Sequence, residues 1–292
     1  MYSGTTLTKY SGRVLGAHQK IDRVSRRHLA RLAPGVDVFP SIRSILLFEG
    51  RDGPDGVKRK SPAHNEPWHY YNPFDEHDDA LPGIIASHYQ ELIRTLRDNN
   101  TERAAFEAAW LAHAIVDGLT PAHHYPYEEE LCQLRCGGIE ERTTIFKKII
   151  IPGSGLGEII ANNWKMWGGK GLMTTHGTFE WGVATMIKPL TLSNAMPTAA
   201  DLEVLYQNGP VAIFRRTAHE IALLDMYERY YQKGWTPALA AQVRSILAPA
   251  MVRTVTLAWY GALVVSMGLA SERPAGGLQA VPAARRRPWR QN

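Results

Sequence analysis

Between Ala104 and Asp117 the chain reads AAFEAAWLAHAIVD, in which only Glu107, His113 and Asp117 are not apolar. A helix that is apolar on every side cannot lie on a surface and has to be enclosed by the rest of the fold. This one stretch therefore predicts a layered helical protein with a central buried helix. The surroundings agree. DRVSRRHLARLA, GIIASHYQELIRTLRDN, EERTTIFKKIII, LEVLYQ and TAHEIALLDMYERYYQKG show helical spacing of apolar residues or runs of helix formers. No run of alternating strands with hairpin turns is seen, and no internal repeat. The expected class is all-α, a single compact multi-helix domain over residues 1–271, followed by a basic Pro/Arg-rich tail, 272–292, that reads as disordered. A chain of 292 residues is ample for such a core.

Two segments could change that picture. Residues 254–270, TVTLAWYGALVVSMGLA, carry no charge. They are slightly short for a bilayer and diluted by Thr, Ser and Gly, so a buried core helix is expected and no transmembrane span. Residues 49–82 are rich in Gly, Pro, Asp and His and read as one long irregular loop. Such a loop in a compact domain is functional or disordered, and Trp68, Tyr70 and Tyr71 argue against disorder. They serve either as core or as the wall of a substrate groove. The first twenty residues hold no apolar secretory core. Cys132 and Cys136 read as free thiols of a reducing compartment. Both observations lead us to expect a cytoplasmic protein. The net charge of +5 suits an anionic substrate or surface.

The polar residues of the central helix carry the chemistry. His113 and Asp117, four apart, share one helix face. A carboxylate buried beside an imidazole is costly unless something cationic pairs with it. In DGLTPAHH the helix is expected to stop at Gly118, with Thr120 as N-cap, Pro121 as the first helical residue and His123 and His124 in the next turn. A second pair at the same spacing, His176 and Glu180, sits in THGTFE. Each pair alone is as readily a core hydrogen bond or a surface ion pair. Two pairs in one helical chain, with Asp52, Asp55, His64 and His69 in the loop, point to a divalent-metal site. Imidazoles and carboxylates without a thiolate cluster suit zinc. His28 reads as a surface residue of a basic helix, and His77, His88 and His219 as surface or boundary residues.

The order of these motifs resembles the zinc-dependent phospholipase C / P1 nuclease family. The matching positions are His18 in LGAHQKIDR, Asp55 in GPDGVK, His69 in WHYYNPFDE, His113, Asp117 and His123 in AHAIVDGLTPAHH, and His176 with Glu180 in HGTFE, spanning about residues 12–270. His64 is an alternative to His69, and His124 to His123. The resemblance implies two or three zinc ions held by these eight residues, with Asp117 bridging two of them. It also implies Asp55 as the general base that orients or deprotonates the attacking water. In the family an N-terminal Trp gives its amine and carbonyl to one metal; this chain has no Trp near its start.

The implied reaction is hydrolysis of a phosphodiester. The H-x-x-x-E form at His176 and Glu180 follows the phospholipases, so the expected activity is phospholipase C-type cleavage of a phospholipid to diacylglycerol and a phosphorylated headgroup, with peripheral membrane contact. A single-strand nuclease of the P1 type is the alternative within enzymes. A non-catalytic helical protein with structural His/Asp pairs is the alternative outside them.

Overall fold

The computed structural model describes residues 1–2, 16–33, 37–50 and 52–270; the tail at 272–292 lies outside the described residues, as does the side chain of His64. The helices are α1 (Ala17–Leu32), α2 (Ile42–Leu47), α3 (Pro54–Lys60), α4 (Ala80–Arg97), α5 (Thr101–Gly118), α6 (Tyr127–Arg135), α7 (Ile145–Ile149), α8 (Leu156–Trp167), α9 (Leu172–Ile187), α10 (Ala199–Ala222), α11 (Met226–Lys233), α12 (Pro237–Gln242) and α13 (Ala248–Ser266), with short 3-10 turns between several of them. No strand occurs among the described residues. The all-α class and the single compact domain are as the sequence predicts.

Helix α5 is the central element. It packs against α4, α13, α2 and α1, and thirteen of its residues are buried, Glu107, His113 and Asp117 included. The α4–α5 hairpin turns at Asn99, which adopts a left-handed φ of 53°, and Asn100 caps α5 by accepting from the Arg103 amide. Helix α13, the apolar run of the sequence, is the second core element. Its 30-residue continuation back through Pro237 is long and apolar enough to cross a membrane, but 83% of its most apolar window is buried inside this fold. The fully buried Trp259 donates through Nε1 to the Ala108 carbonyl at 3.0 Å, tying α13 to α5. Ser25 Oγ donates to the Val252 carbonyl at 3.2 Å and ties α1 to the same helix. Trimming a side chain packed like Trp259 to alanine costs about 3–5 kcal/mol.

Gly118, the last residue of α5, has no room for a side chain: a Cβ would meet the Phe214 ring at 2.5 Å and Leu81 at 2.6 Å. The chain enters the site immediately beyond. The expected second helix is one 3-10 turn, Pro121–His124, and Thr120 does not cap it; its hydroxyl donates back to the Val116 carbonyl.

Four sequence expectations are corrected. The stretch 49–82 is not one loop, because Pro54 at the first helical position starts α3. The segment TAHEIALLDMYERYYQKG is two helices, broken where Asp225 takes φ 47°. Only Ile145–Ile149 of EERTTIFKKIII is helical, and α8 follows where no helix was expected. His28 is fully buried, its Nε2 3.0 Å from the Leu192 carbonyl. It continues the inward stripe His18, Ile21, Ser25 of α1, spaced three and four residues apart.

Candidate metal centre

Four elements converge beside the C-terminal end of α5. Helix α1 brings His18 in its first turn, α5 brings His113 and Asp117, the 3-10 turn brings His123, and α9 brings His176 and Glu180. The side chains form two groups, His18–His113–Asp117 and His123–His176–Glu180. Within each, ligand atoms lie within 4.8 Å of one another. In the first, His18 Nε2 is 3.3 Å from Asp117 Oδ1, and His113 Nε2 is 3.2 Å from Asp117 Oδ2. The two rings stack at 3.9 Å. In the second, Glu180 Oε1 is 2.8 Å from His123 Nε2 and 3.1 Å from His176 Nε2. Asp117 Oδ1 also comes within 3.8 Å of His123, on its Nδ1 side.

The surroundings fix which nitrogen of His113 and of His123 faces inward. Glu49, in the turn after α2, is fully buried and lies 2.9 Å from His113 Nδ1 and 3.7 Å from His18 Nδ1. His113 therefore directs Nε2 inward, and that atom has no hydrogen-bond partner although it is buried. His123 directs Nδ1 to the His69 carbonyl at 3.0 Å, leaving Nε2 for the cluster. An imidazole whose outer nitrogen is held by a carboxylate or carbonyl is the usual arrangement of a metal-ligating histidine. These donors, the orphaned Nε2 among them, fit a borderline divalent ion such as zinc.

The other two expected ligands stand at the edge. Asp55, in the first turn of α3, is half-buried, and its Oδ1 lies 3.7 Å from His113 Nε2. Asp52 is exposed and pairs with Lys60 at 3.6 Å, so Asp55 is the carboxylate of this segment at the site. His69 joins neither group: its Nδ1 hydrogen-bonds the Pro67 carbonyl at 3.0 Å and its ring lies against His123 and Tyr70. His124 points away, its Nε2 2.8 Å from the Gly118 carbonyl. The aromatics divide. Tyr71 is core, packed on Phe214 with its hydroxyl accepting from Arg215. Tyr70 stacks on Tyr127 at 5.4 Å beside His123, and the Tyr127 ring meets His176 edge-on.

Three participants were not anticipated. The α-amino group of Met1 lies 2.5 Å from Asp117 Oδ1 and 2.9 Å from Glu180 Oε1, and its carbonyl oxygen 3.0 Å from His18 Nε2. Both are backbone groups, which leave no mark in a sequence pattern. Lys58 places Nζ 3.2 Å from both Asp55 Oδ1 and Asp117 Oδ2. The i,i+3 spacing from Asp55 carries the signal for Lys58 once α3 is known to be a helix. Glu49 has only the cost of a lone buried carboxylate to betray it.

The charges interlock. Burial opposes ionisation of Asp117 and Glu180, but Lys58, the Met1 ammonium and the neighbouring imidazoles outweigh it and hold both carboxyls well below the usual range. Asp55 is lowered likewise, against its burial, by Lys58 and His113. Burial also opposes the charge on His113, yet Glu49 and Asp117 hold its pKa up to about 10. His123 goes the other way, to about 4, through burial and the Met1 ammonium. Behind the site, burial and the nearby Glu49 push the Asp22 carboxyl well up. The carboxylates of the centre are thus matched by the Lys58 and Met1 ammonium groups and by the charged His113.

No family model matches the chain, and no curated protein matches it. The chemistry of the site therefore has to be argued from its own residues.

Proposed function

We propose that this chain is a zinc-dependent phosphodiester hydrolase of the phospholipase C / P1 nuclease kind, acting on a phospholipid. The observation that supports this most is that two imidazole–carboxylate groups lie side by side at the end of α5, with a half-buried carboxylate–lysine pair, Asp55 and Lys58, at their edge. His18, His113 and Asp117 would hold one ion and His123, His176 and Glu180 another, with the Met1 amine and carbonyl within reach of both groups. Bound zinc supplies Lewis-acid charge for phosphoryl oxygens and lowers the pKa of a water toward about 7.

The chain's own groups do the rest. Asp55, ionised at neutral pH, accepts a hydrogen bond or a proton from a water and aims it. Lys58 keeps its charge, because Asp117 and Asp55 raise its pKa against the effect of burial. Its ammonium is a fixed positive charge for an oxygen of the phosphodiester. Glu49 keeps the His113 ring from turning. Tyr70 and Tyr127 wall one side and exclude water from it.

That stacked pair is also what a nuclease reading would use, since an unpaired base stacks on such a platform. One experiment separates the readings. Zinc content is measured by elemental analysis, and turnover is compared on phosphatidylcholine and on single-stranded DNA. The proposal expects at least two zinc ions per chain and cleavage of the lipid. Absence of zinc after loading overturns it and leaves the non-catalytic reading. Zinc with cleavage of DNA alone transfers the site to the nuclease reading.

A further inference from the structure

Helix α8 is built inside out. Its inward face is largely polar apart from Met166, which packs with Tyr127, Leu131 and Ile151: Asn163 Nδ2 donates to the Ile151 carbonyl at 2.8 Å while its Oδ1 accepts from the Ile151 amide at 3.1 Å, and Asn162 Nδ2 donates to the Pro152 carbonyl at 2.9 Å. Met166 is its one buried residue. Its outward stripe is apolar, with Leu156 81%, Ile160 70% and Trp164 73% exposed, and Trp167 closes the last turn. Positions 156, 160, 164 and 167 repeat at helical spacing, so they form one face. A helix of a soluble domain turns such a face to the core.

Helix α7 extends the same surface. Ile145, Phe146 and Ile149 are exposed on it, Phe146 by 72%. The indole Nε1 of Trp167 donates to the Ile149 carbonyl at 2.9 Å and joins the two helices. The charge carried by the two helices and their connection is mainly positive, although Lys148 pairs with Glu66. Residues 145–170 contain four lysines and a single acid, Glu158. Glu158 is occupied by the Ser154 amide and hydroxyl, while Lys147, Lys165 and Lys170 are exposed.

We infer that the α7–α8 face is a docking surface for a bilayer carrying anionic headgroups. A helix with Trp and Leu on one side and Lys flanking it is the composition that settles in the headgroup layer, where indoles lie at the water boundary and ammonium groups meet lipid phosphates. A second copy of the chain paired through a two-fold axis would bring these lysines against their own equivalents, and lysine is depleted at such interfaces. The surface adjoins the site. Lys148 of α7 donates to the backbone carbonyl of Lys58. Helix α8 packs on α9, which carries His176 and Glu180. The inference deepens the phospholipid reading and rests on it, since a bilayer is where that substrate lies.

The test uses the full zinc-loaded chain and the double variant Ile160→Asp/Trp164→Ser. Both are sedimented with vesicles of phosphatidylcholine, with and without phosphatidylglycerol, and assayed on a soluble short-chain phosphatidylcholine. The native chain should bind the anionic vesicles more tightly than the neutral ones. The variant should lose about tenfold or more of that binding and keep its melting temperature and its turnover of the soluble substrate. Failure of the native chain to bind anionic vesicles, or equal binding by the variant, overturns the docking surface whatever the protein hydrolyses. A concentration-dependent dimer that the substitutions dissolve, without vesicle binding, makes a second copy the occupant and overturns it too. Variant-sensitive vesicle binding by a protein that cleaves no phospholipid supports the surface while the phospholipid reading fails.

Discussion

The two donor groups of the centre differ in how they are held. His18, His113 and Asp117 are 1%, 3% and 0% exposed and sit on α1 and α5, the helices that pack on α13. Glu49 stands behind both rings at once. The outer group rests on a 3-10 turn and on α9, and the Glu180 side chain is 13% exposed. His176 Nδ1 has no hydrogen-bond partner. The inner group is thus buried throughout; in the outer group His123 is buried as deeply, at 2%, and Glu180 is the member that reaches toward solvent. Asp117 is the side chain of the inner group that also comes near His123.

The largest effect should come from removing that side chain. Asp117→Ala takes away the carboxylate that Lys58 and the Met1 amine share, leaving each with one partner, Asp55 and Glu180; breaking a buried pair in this way costs up to about 3–5 kcal/mol. Both metals should be lost, and activity with them. Glu180→Ala should empty only the outer group and spare most of the stability. Elemental analysis and denaturant melts of the two variants compare the groups directly. A full metal complement in Asp117→Ala would mean that the groups are independent.

Next in size is Asp55→Asn. The side chain stands outside both groups, so metal content should be retained while turnover falls about 10²–10⁴-fold. Asp52→Asn, on an exposed residue, should change neither. The opposite outcome, a dead Asp52 variant and an active Asp55 variant, would move the catalytic carboxylate within this segment.

A smaller change should follow from Glu49→Gln. Loss of a carboxylate behind a ligating histidine costs about 10–100-fold in metal affinity. The loss should fall on the inner ion alone, because Glu49 touches His113 and His18 and no member of the outer group. Competition with a chromophoric chelator would show one weakened site and one unchanged. Equal weakening of both would remove the distinction between the groups.

What the sequence could reveal of this centre followed from local geometry. His113 with Asp117 and His176 with Glu180 are one helical turn apart, so recognising the helix was enough to pair them. The central helix itself was legible from its lack of a polar face. Glu49 meets His113 across 64 positions, which only the packing of α2 on α5 brings about. The basic neighbours of His28 suggest a surface residue, but its spacing from His18, Ile21 and Ser25 places it inward. In α8 the pattern LGEIIANNWKMW does not tell which face looks out, and there polar contacts to residues 151 and 152 reverse the usual answer.

The smallest effect concerns pH, and it sharpens the comparison because His113 and His123 respond oppositely. With the metal stripped by a chelator, His113 has a folded pKa of about 10 against about 6.5 when unfolded. A raised pKa stabilises below the unfolded value, and that contribution is lost as pH rises through the folded one. Asp117 and Glu180 are held below their ordinary values, so their contribution is present above about pH 4 and lost as pH falls further. His123, already neutral with its pKa near 4, adds nothing on the alkaline side. His123 and His124, both held to a pKa of about 4, resist protonation and take stability away as pH falls below about 6.5. The stripped protein should therefore melt highest at about pH 6.5–7 and lose several degrees toward pH 10. A ligating imidazole must be neutral, so the zinc-loaded protein should show no such alkaline decline, and loading at pH 7 should release the His113 proton. Melting curves with and without chelator, together with calorimetric titration of zinc in buffers of different ionisation enthalpy, read both quantities. Parallel alkaline decline in the two forms, with no proton released, would mean that His113 keeps its charge and that the inner group holds no ion.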